Sequence, residues 1–293
     1  MIKINNITRG RFGNRVLQFN SALQLANLID TKLYCSMWEG FNFFKGFEKY
    51  TFSKEREETL LKWNECLSMS IEEIKELHGT KDIVIDDPAY LLHNVFFKLT
   101  KTHPREFLKI KDEYKISPPK EKTNVGIHIR GDDIISRDGN DGREIHDSEY
   151  YIDSIKSVEK EPGEKRYFVC TDDINFNTFI KVFNYLKSTN KDFFLGPSTS
   201  SPDKINHFSD FSLLTECDIL IASSSTYSIS AAIVGKNKKI IHSKNWLEKN
   251  VNHTPWHRYE DPKHVRDWQI SFDNFWVDVY RGGNTFYNAW KII

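Results

Sequence analysis

Three short segments of this sequence combine residue types that can bind an anion. The first, HIRGDD at residues 128–133, leaves the apolar run VGIHI (125–129). It sets the guanidinium of Arg130 at the end of a strand, where it can grip a pyrophosphate bidentately or, equally, close a salt bridge. The second, ASSST at 222–226, follows DILIA (218–222) and precedes a helical repeat. Hydroxyls and backbone N–H groups at a helix start form an anion cradle, although serine there also serves as a plain N-cap. The third is the turn GRFGN at 10–14. It reads GxxGN rather than the GxGxxG of a dinucleotide site, and its glycines either admit a ligand close to the backbone or simply turn the chain. Arg9, Arg11 and Arg15 around it favour an anionic ligand. Arginines, hydroxyls and helix N-termini at several strand ends are what a nucleotide diphosphate requires.

Such segments need a scaffold that brings strand ends together. Ile2 to Ile7 alternate as a strand and the Gly turn follows. Val16, Phe19, Ala22, Leu23, Ala26 and Ile29 then recur at helical spacing before the short strand Leu33-Tyr34-Cys35. Strand, turn, helix, strand is a βαβ unit and implies a parallel sheet. Residues 40–80 read as loops and helices, DIVID (82–86) as a buried strand, and 89–115 as mixed helix. Ser117-Pro118-Pro119-Lys120-Glu121-Lys122 interrupts the pattern and is the linker expected between a first domain, 1–120, and a second, 121–293. Beyond it, strands at 125–129, 166–171, 192–196, 218–222 and 239–242 alternate with helices at 148–158, 175–186, 208–217 and 227–234. The expected fold class is an open α/β sheet with helices on both faces, with ligands beyond the carboxyl ends of the strands. Residues 246–290 hold five of the seven tryptophans and read as an aromatic tail wrapped over the body.

Bulk properties narrow the partners. At 293 residues the chain suits two domains of ordinary size. Lys plus Arg and Asp plus Glu are both 41, so the formal net charge is zero, which argues against a general nucleic-acid binder but leaves room for a local basic site for a small anion. Cysteines 35, 66, 170 and 217 form no CxxC pair and read as buried thiols. No apolar run approaches the ~20 residues of a membrane helix, and the N-terminus lacks a signal-peptide core. The expectation is a soluble, cytoplasmic protein without an integral membrane segment.

Four blocks, taken in order, resemble the bacterial alpha-1,2-fucosyltransferases and, more distantly, the alpha-1,6- and protein O-fucosyltransferases. GRFGNRVLQFNSALQLA (10–26) resembles the opening GGLGNQMFQYAxAxxLA of that family, and VGIHIRGDD (125–133) resembles its HxRRGD motif. YYIDSI (150–155) with YFVCTDD (167–173) resembles YYxxAI and YFVFSDD, and DFSLLTECDILIASSSTYSISAA (210–232) resembles DxxLMSxCxxxIxxNSSFSWWxA. The resemblance implies two Rossmann-like domains of GT-B type with a cleft between them. It implies an acceptor-side first domain and a second that holds a GDP-sugar. It further implies transfer of L-fucose from GDP-fucose to a glycan hydroxyl, inversion at the anomeric carbon, and no cofactor or metal. Carried over by position, Arg130 grips the β-phosphate and His128 is the motif histidine. Asp210 matches a residue that pairs with the guanine edge, Ser224, Ser225 and Thr226 line the phosphates, and Gly13 and Asn14 belong to the loop over the donor. The second arginine of the motif is replaced by Gly131, and Arg11 or Arg15 is the candidate to restore its charge.

Inverting transfer requires a base for the acceptor hydroxyl. Asp132, Asp133 and Asp138 are in reach of the strand end that carries Arg130, where they could instead cap a loop or pair with Arg137 and Arg143. His128 reads as a structural hydrogen-bonder rather than that base. Asp86-Asp87, Asp132-Asp133 and Asp172-Asp173 each offer an acidic pair to a metal, but such pairs are also ordinary turn chemistry. Trp256 and His257, placed in a loop by Pro255, are the aromatic candidates for acceptor sugar rings, against the commoner use of such rings in packing. Two rival readings stand beside fucosyl transfer: a transferase for another nucleotide sugar, and a non-catalytic protein that binds a sugar nucleotide or glycan.

Overall fold

The computed structural model describes residues 1–4, 7, 10–50, 58–62, 69, 71–86, 104–131, 146–200, 207–237, 239–242 and 290–292. They divide into two compact units, one within Met1–Lys109 and one within Ile110–Asn252 that also takes in the final strand.

The first unit is a parallel four-stranded sheet in the order β2-β1-β4-β3. Its strands are β1 (Ile2–Ile4), β2 (Leu33–Cys35), β3 (Glu58–Lys62) and β4 (Asp82–Asp86). Ile2 faces Leu33 on one side and Ile83 on the other, so β1 lies at the centre. Helix α1 (Phe12–Leu28) makes the βαβ crossover read from the sequence. Its length is almost wholly buried, including Gln18, Asn20, Ser21 and Gln24. The Phe-rich stretch after β2 supplies the packing for its first turns. Short helix α2 (Gly40–Phe43) and a 3₁₀ turn at Phe47–Tyr50 bring Phe43, Phe44 and Phe47 around Phe12, Phe19 and Trp38. Phe19 and Phe47 stack with ring centroids 4.4 Å apart. This aromatic cluster fixes where α1 starts, and with it the Gly10–Asn14 turn.

Two expectations for this unit need correction. The loops and helices of 40–80 include helix α3 (Ile71–Thr80), but also strand β3. That strand is bounded by Glu58 and Lys62, and its Leu60 is 62% exposed at the sheet edge, so its sequence lacks the apolar alternation of a half-buried strand. The mixed helix of 89–115 is, in its described part, only 3₁₀ turns at Pro104–Glu106 and Asp112–Tyr114. Residues 87–103 and the tail 246–289 lie outside the described residues.

The second unit is a parallel six-stranded sheet in the order β10-β9-β8-β5-β6-β7. The strands are β5 (Thr123–Ile129), β6 (Lys165–Thr171), β7 (Phe193–Leu195), β8 (Ile219–Ile221), β9 (Lys239–His242) and β10 (Trp290–Ile292). Between them run α4 (Ser148–Glu159), α5 (Asn177–Ser188), α6 (Pro197–Ser200), α7 (His207–Glu216) and α8 (Thr226–Val234). Asp147 caps α4 by accepting the Tyr150 N–H at 2.9 Å. Side-chain alternation along β5 assigns the two faces. Val125, Ile127 and Ile129 join Tyr167, Val169, Ile219, Ile221 and Ile241 against Tyr151, Ile155 and Val158 of α4 and Phe179, Val182 and Leu186 of α5. Burying each such aliphatic side chain contributes ~1.5–3 kcal/mol. Gly126 and His128 point the other way, toward Leu214 of α7 and Ser228 of α8. Helices therefore cover both faces, as the sequence predicts.

Cys35, Cys170 and Cys217 are free and buried, and burial pushes each thiol up and keeps it unreactive; Cys66 lies outside the described residues. Among the described residues no helix is long and apolar enough to cross a membrane.

A Cβ at Gly126 would come within 2.9 Å of Leu214 Cδ2 and 3.2 Å of Cys217 Sγ. Gly126→Val should therefore overpack the β5–α7 interface and cost about 1–3 kcal/mol, read as a lower denaturation midpoint with an unchanged slope.

Candidate functional site

Numbered in chain order, the second sheet runs 3-2-1-4-5-6 from β7 to β10. Its first and fourth strands, β5 and β8, are hydrogen-bonded neighbours with Ile127 opposite Ile221. The chain leaves them toward opposite sides, and a crevice at such a switch point is where doubly wound sheets bind ligands. Two of the three anion-binding segments leave the carboxyl ends of these two strands.

Arg130 follows β5, and its Nη1 donates to Ser225 Oγ at 3.2 Å. Ser225 is the N-cap of α8 and accepts from Tyr227 N at 3.2 Å. Thr226 opens the helix, half-buried, and no acidic residue occupies the first turn. The positive end of the α8 dipole thus lies beside a guanidinium, with no acid in that helix's own first turn. This pairing can hold a phosphate and neutralise charge that develops on it.

His128 lies beneath. It is 6% exposed, with Nδ1 2.7 Å from Ser223 Oγ and 2.6 Å from Ser228 Oγ. Those hydroxyls are 2.9 Å apart, and Ser228 Oγ also accepts from Ser223 N at 3.1 Å. His128 therefore ties β5 to the serine turn from behind, as a structural hydrogen-bonder. On the turn's other side Ser224 Oγ lies 3.0 Å from Nε2 of His146. Burial, and then the neighbouring His242, hold the His146 imidazole down to about 3. Tyr150, its ring tilted against His146 with centroids 4.2 Å apart, donates its hydroxyl to the carbonyls of Ala222 at 2.8 Å and Ile241 at 3.2 Å.

Gly131 stands where the resembling motif has its second arginine. Its N–H donates to Asp172 Oδ1 at 2.8 Å, and a Cβ there would meet the Phe176 ring at 2.8 Å. Position 131 is closed to a side chain while Phe176 stays in place. Asp173 Oδ1 accepts from Asn175 N at 2.8 Å, so the Asp172-Asp173 pair is engaged in holding backbone. Asp210, 4% exposed, accepts Ser198 N at 2.9 Å and the Thr199 hydroxyl at 3.5 Å. Burial raises its carboxyl, opposed by those donors from Ser198 and Thr199. It anchors the start of α6 beside Gly196, whose added Cβ would lie 2.6 Å from the carboxylate.

In the first unit, Gly10 has φ +78°, and a Cβ there would overlap the Asn14 side chain. Arg11 is the exposed N-cap residue of α1, with no side-chain cap bond, and Gly13 is buried in the first turn. Arg15 Nε donates to Gly10 O at 3.1 Å and its Nη1 meets Glu39 Oε1 at 3.0 Å. Arg15 thus braces the turn with its charge paired. Asp132, Asp133, Asp138, Trp256 and His257 lie outside the described residues. Sequence reasoning missed His146 and Ser228 and offered Asp172 only as half of an acidic pair; the spacing of these residues along the chain carries no signal of their partners.

The α/β fold with two parallel sheets is that of solved fucosyltransferase structures. One is POFUT1 in complex with GDP, at 12% identity and a TM-score of 0.52 over 82% of this chain and 96% of that one. POFUT1 in complex with GDP-fucose matches at 12% identity and a TM-score of 0.52 over 80% and 95%. A mutant of Arabidopsis thaliana FUT1 in complex with GDP matches at 16% identity and a TM-score of 0.54 over 82% and 70%. No curated protein matches by sequence. The model of glycosyl transferase family 11 matches residues 7–269, and the chain belongs to that family of glycosyltransferase enzymes.

Neutral His146 links this site to pH. In the unfolded chain an imidazole gains its proton near the ordinary value of 6.5, whereas in the folded protein it resists until about 3. Between those values the unfolded state binds more protons, so stability is full above about 6.5 and is lost as pH falls toward 3. Denaturant titrations through that window should show a shallower acid loss for His146→Gln than for the wild type.

Proposed function

We propose that this glycosyltransferase moves L-fucose from GDP-fucose onto a hydroxyl of a glycan acceptor, with inversion at the anomeric carbon. The observation that carries this is Arg130 meeting Ser225 at the N-terminus of α8, on the switch point of the second sheet. Support for the donor comes from relatives of the same fold crystallised with GDP and GDP-fucose. The second unit takes the donor and the first the acceptor, in a GT-B arrangement.

In this reaction the acceptor oxygen attacks the anomeric carbon from the face opposite the phosphate. The bond between that carbon and the β-phosphate oxygen breaks, and GDP departs with the electron pair. Charge gathers on the leaving phosphate while the sugar becomes oxocarbenium-like. A guanidinium held against Ser225 and a helix N-terminus needs little rearrangement to meet that charge, so it stabilises the transition state more than the bound donor. The acceptor proton passes to a carboxylate, for which Asp132, Asp133 and Asp138 are the candidates. The positive charge that a divalent metal supplies to the diphosphate elsewhere is supplied here by Arg130 and the helix end.

Two outcomes test this. Arg130→Ala should lower fucose transfer about 100-fold or more while its melting temperature stays within a few degrees of wild type. Wild-type-like turnover in that variant would refute the role. Transfer should also persist in excess EDTA, measured as GDP released per fucosylated product, and its abolition by chelation with rescue by magnesium would refute the metal-free reaction.

A further inference from the structure

The turn after β8 carries three consecutive serines, and each has its own hydrogen-bond partners. Ser223 belongs to His128 and Ser228, and Ser225 to Arg130 and Tyr227 N. Ser224, 8% exposed, has His146 as its partner, with Oγ 3.0 Å from Nε2 and 3.3 Å from Nδ1. His146 precedes α4 by two residues and is itself 6% exposed. Its ring is held by aromatic neighbours: Tyr150 at 4.2 Å, His242 edge-on at 5.9 Å and Tyr151 edge-on at 6.2 Å. Tyr150 is anchored in turn to the last carbonyls of the β8 and β9 region. The imidazole therefore has a fixed place, and so does the hydroxyl it touches.

Resting on the assignment of GDP-fucose as donor, we infer that His146 is a positioning residue for that donor: it donates its ring N–H to Ser224 Oγ and so leaves the Ser224 O–H to point at the diphosphate. A serine hydroxyl has one proton and two acceptor sites. Were that proton spent on the imidazole, Ser224 would offer an approaching phosphate only lone pairs. Receiving a proton from the ring reverses this and turns the hydroxyl into an anion donor beside Arg130 and the start of α8. The depressed titration of His146 fits the same role, because a neutral ring holds a single N–H and presents no net charge behind the turn. His128 serves Ser223 from the β5 side, and His146 serves Ser224 from the α4 side. The resemblance to known sequences singles out only the first of these histidines.

A double-mutant cycle on GDP binding decides the matter. GDP affinity is measured by calorimetry for wild type, His146→Ala, Ser224→Ala and the pair, each checked for cooperative melting. Each single variant should bind GDP about tenfold or more weakly, as expected for a lost hydrogen bond to a charged group, and the pair no more weakly than Ser224→Ala alone. His146→Gln, whose amide can present an N–H, should recover most of the affinity. If His146→Ala does not melt cooperatively, His146→Met takes its place in the cycle and is expected to behave as the truncation does. Multiplying losses in the pair, or wild-type affinity in the His146 variant, would overturn the inference. A non-additive cycle in a protein that binds GDP but transfers no fucose would uphold it and overturn the transferase reading. A wild-type protein that does not bind GDP would overturn both.

Discussion

A guanidinium meeting a serine hydroxyl across two neighbouring strands is the contact on which the site depends. Arg130 and Ser225 are 95 residues apart in the chain, and only the pairing of β5 with β8 brings them within 3.2 Å. The packing on both sides of β5 supports that pairing. The apolar side of β5 packs on α4 and α5, while its other side is left to a glycine and a histidine because α7 and α8 come close there. Gly126 and His128 are the residues that let a sheet with two buried faces end in a polar mouth. Burial of His128 costs little because two hydroxyls accept or donate at its Nδ1.

Much of this architecture was legible from residue order, for a physical reason. Strands buried on both faces must be continuous apolar runs, so VGIHI, YFVC and DILI stand out against the charged helices between them. The rule that ligands gather at carboxyl ends then points from the sequence to Arg130 and to the serine turn. Strand β3 was not legible because an edge strand is free to carry Glu58 and Lys62, and its exposed Leu60 carries no periodic message. Strand β10 is three residues long, too short for any period to show.

What stayed hidden in the site was the set of polar residues whose partners are distant in sequence. His146 meets a serine 78 residues away, and Asp172 meets a backbone N–H 41 residues away. Local spacing encodes neither contact, because both depend on strand order, which no single segment determines. The sequence offers Asp172 as half of an acidic pair for a metal, whereas its oxygen accepts from the N–H of the residue that follows Arg130. The turn at the start of α1 shows the converse. Its arginines read alike in the sequence, yet Arg15 is drawn off by Glu39 and Gly10, while Arg11 stands exposed at the helix cap.

The ring of Phe176 over Gly131 carries a consequence for how this chain can change. Acquiring a second guanidinium beside Arg130 is not a one-step path, since even the first carbon of a new side chain would press on that ring. A smaller residue at 176 must come first, and by itself it would open a void against the backbone that Asp172 holds. Positions 131 and 176 are therefore coupled, and a change at one depends on a change at the other. Directed evolution toward other donors would do better to begin at the serine turn, where each hydroxyl answers to its own partner.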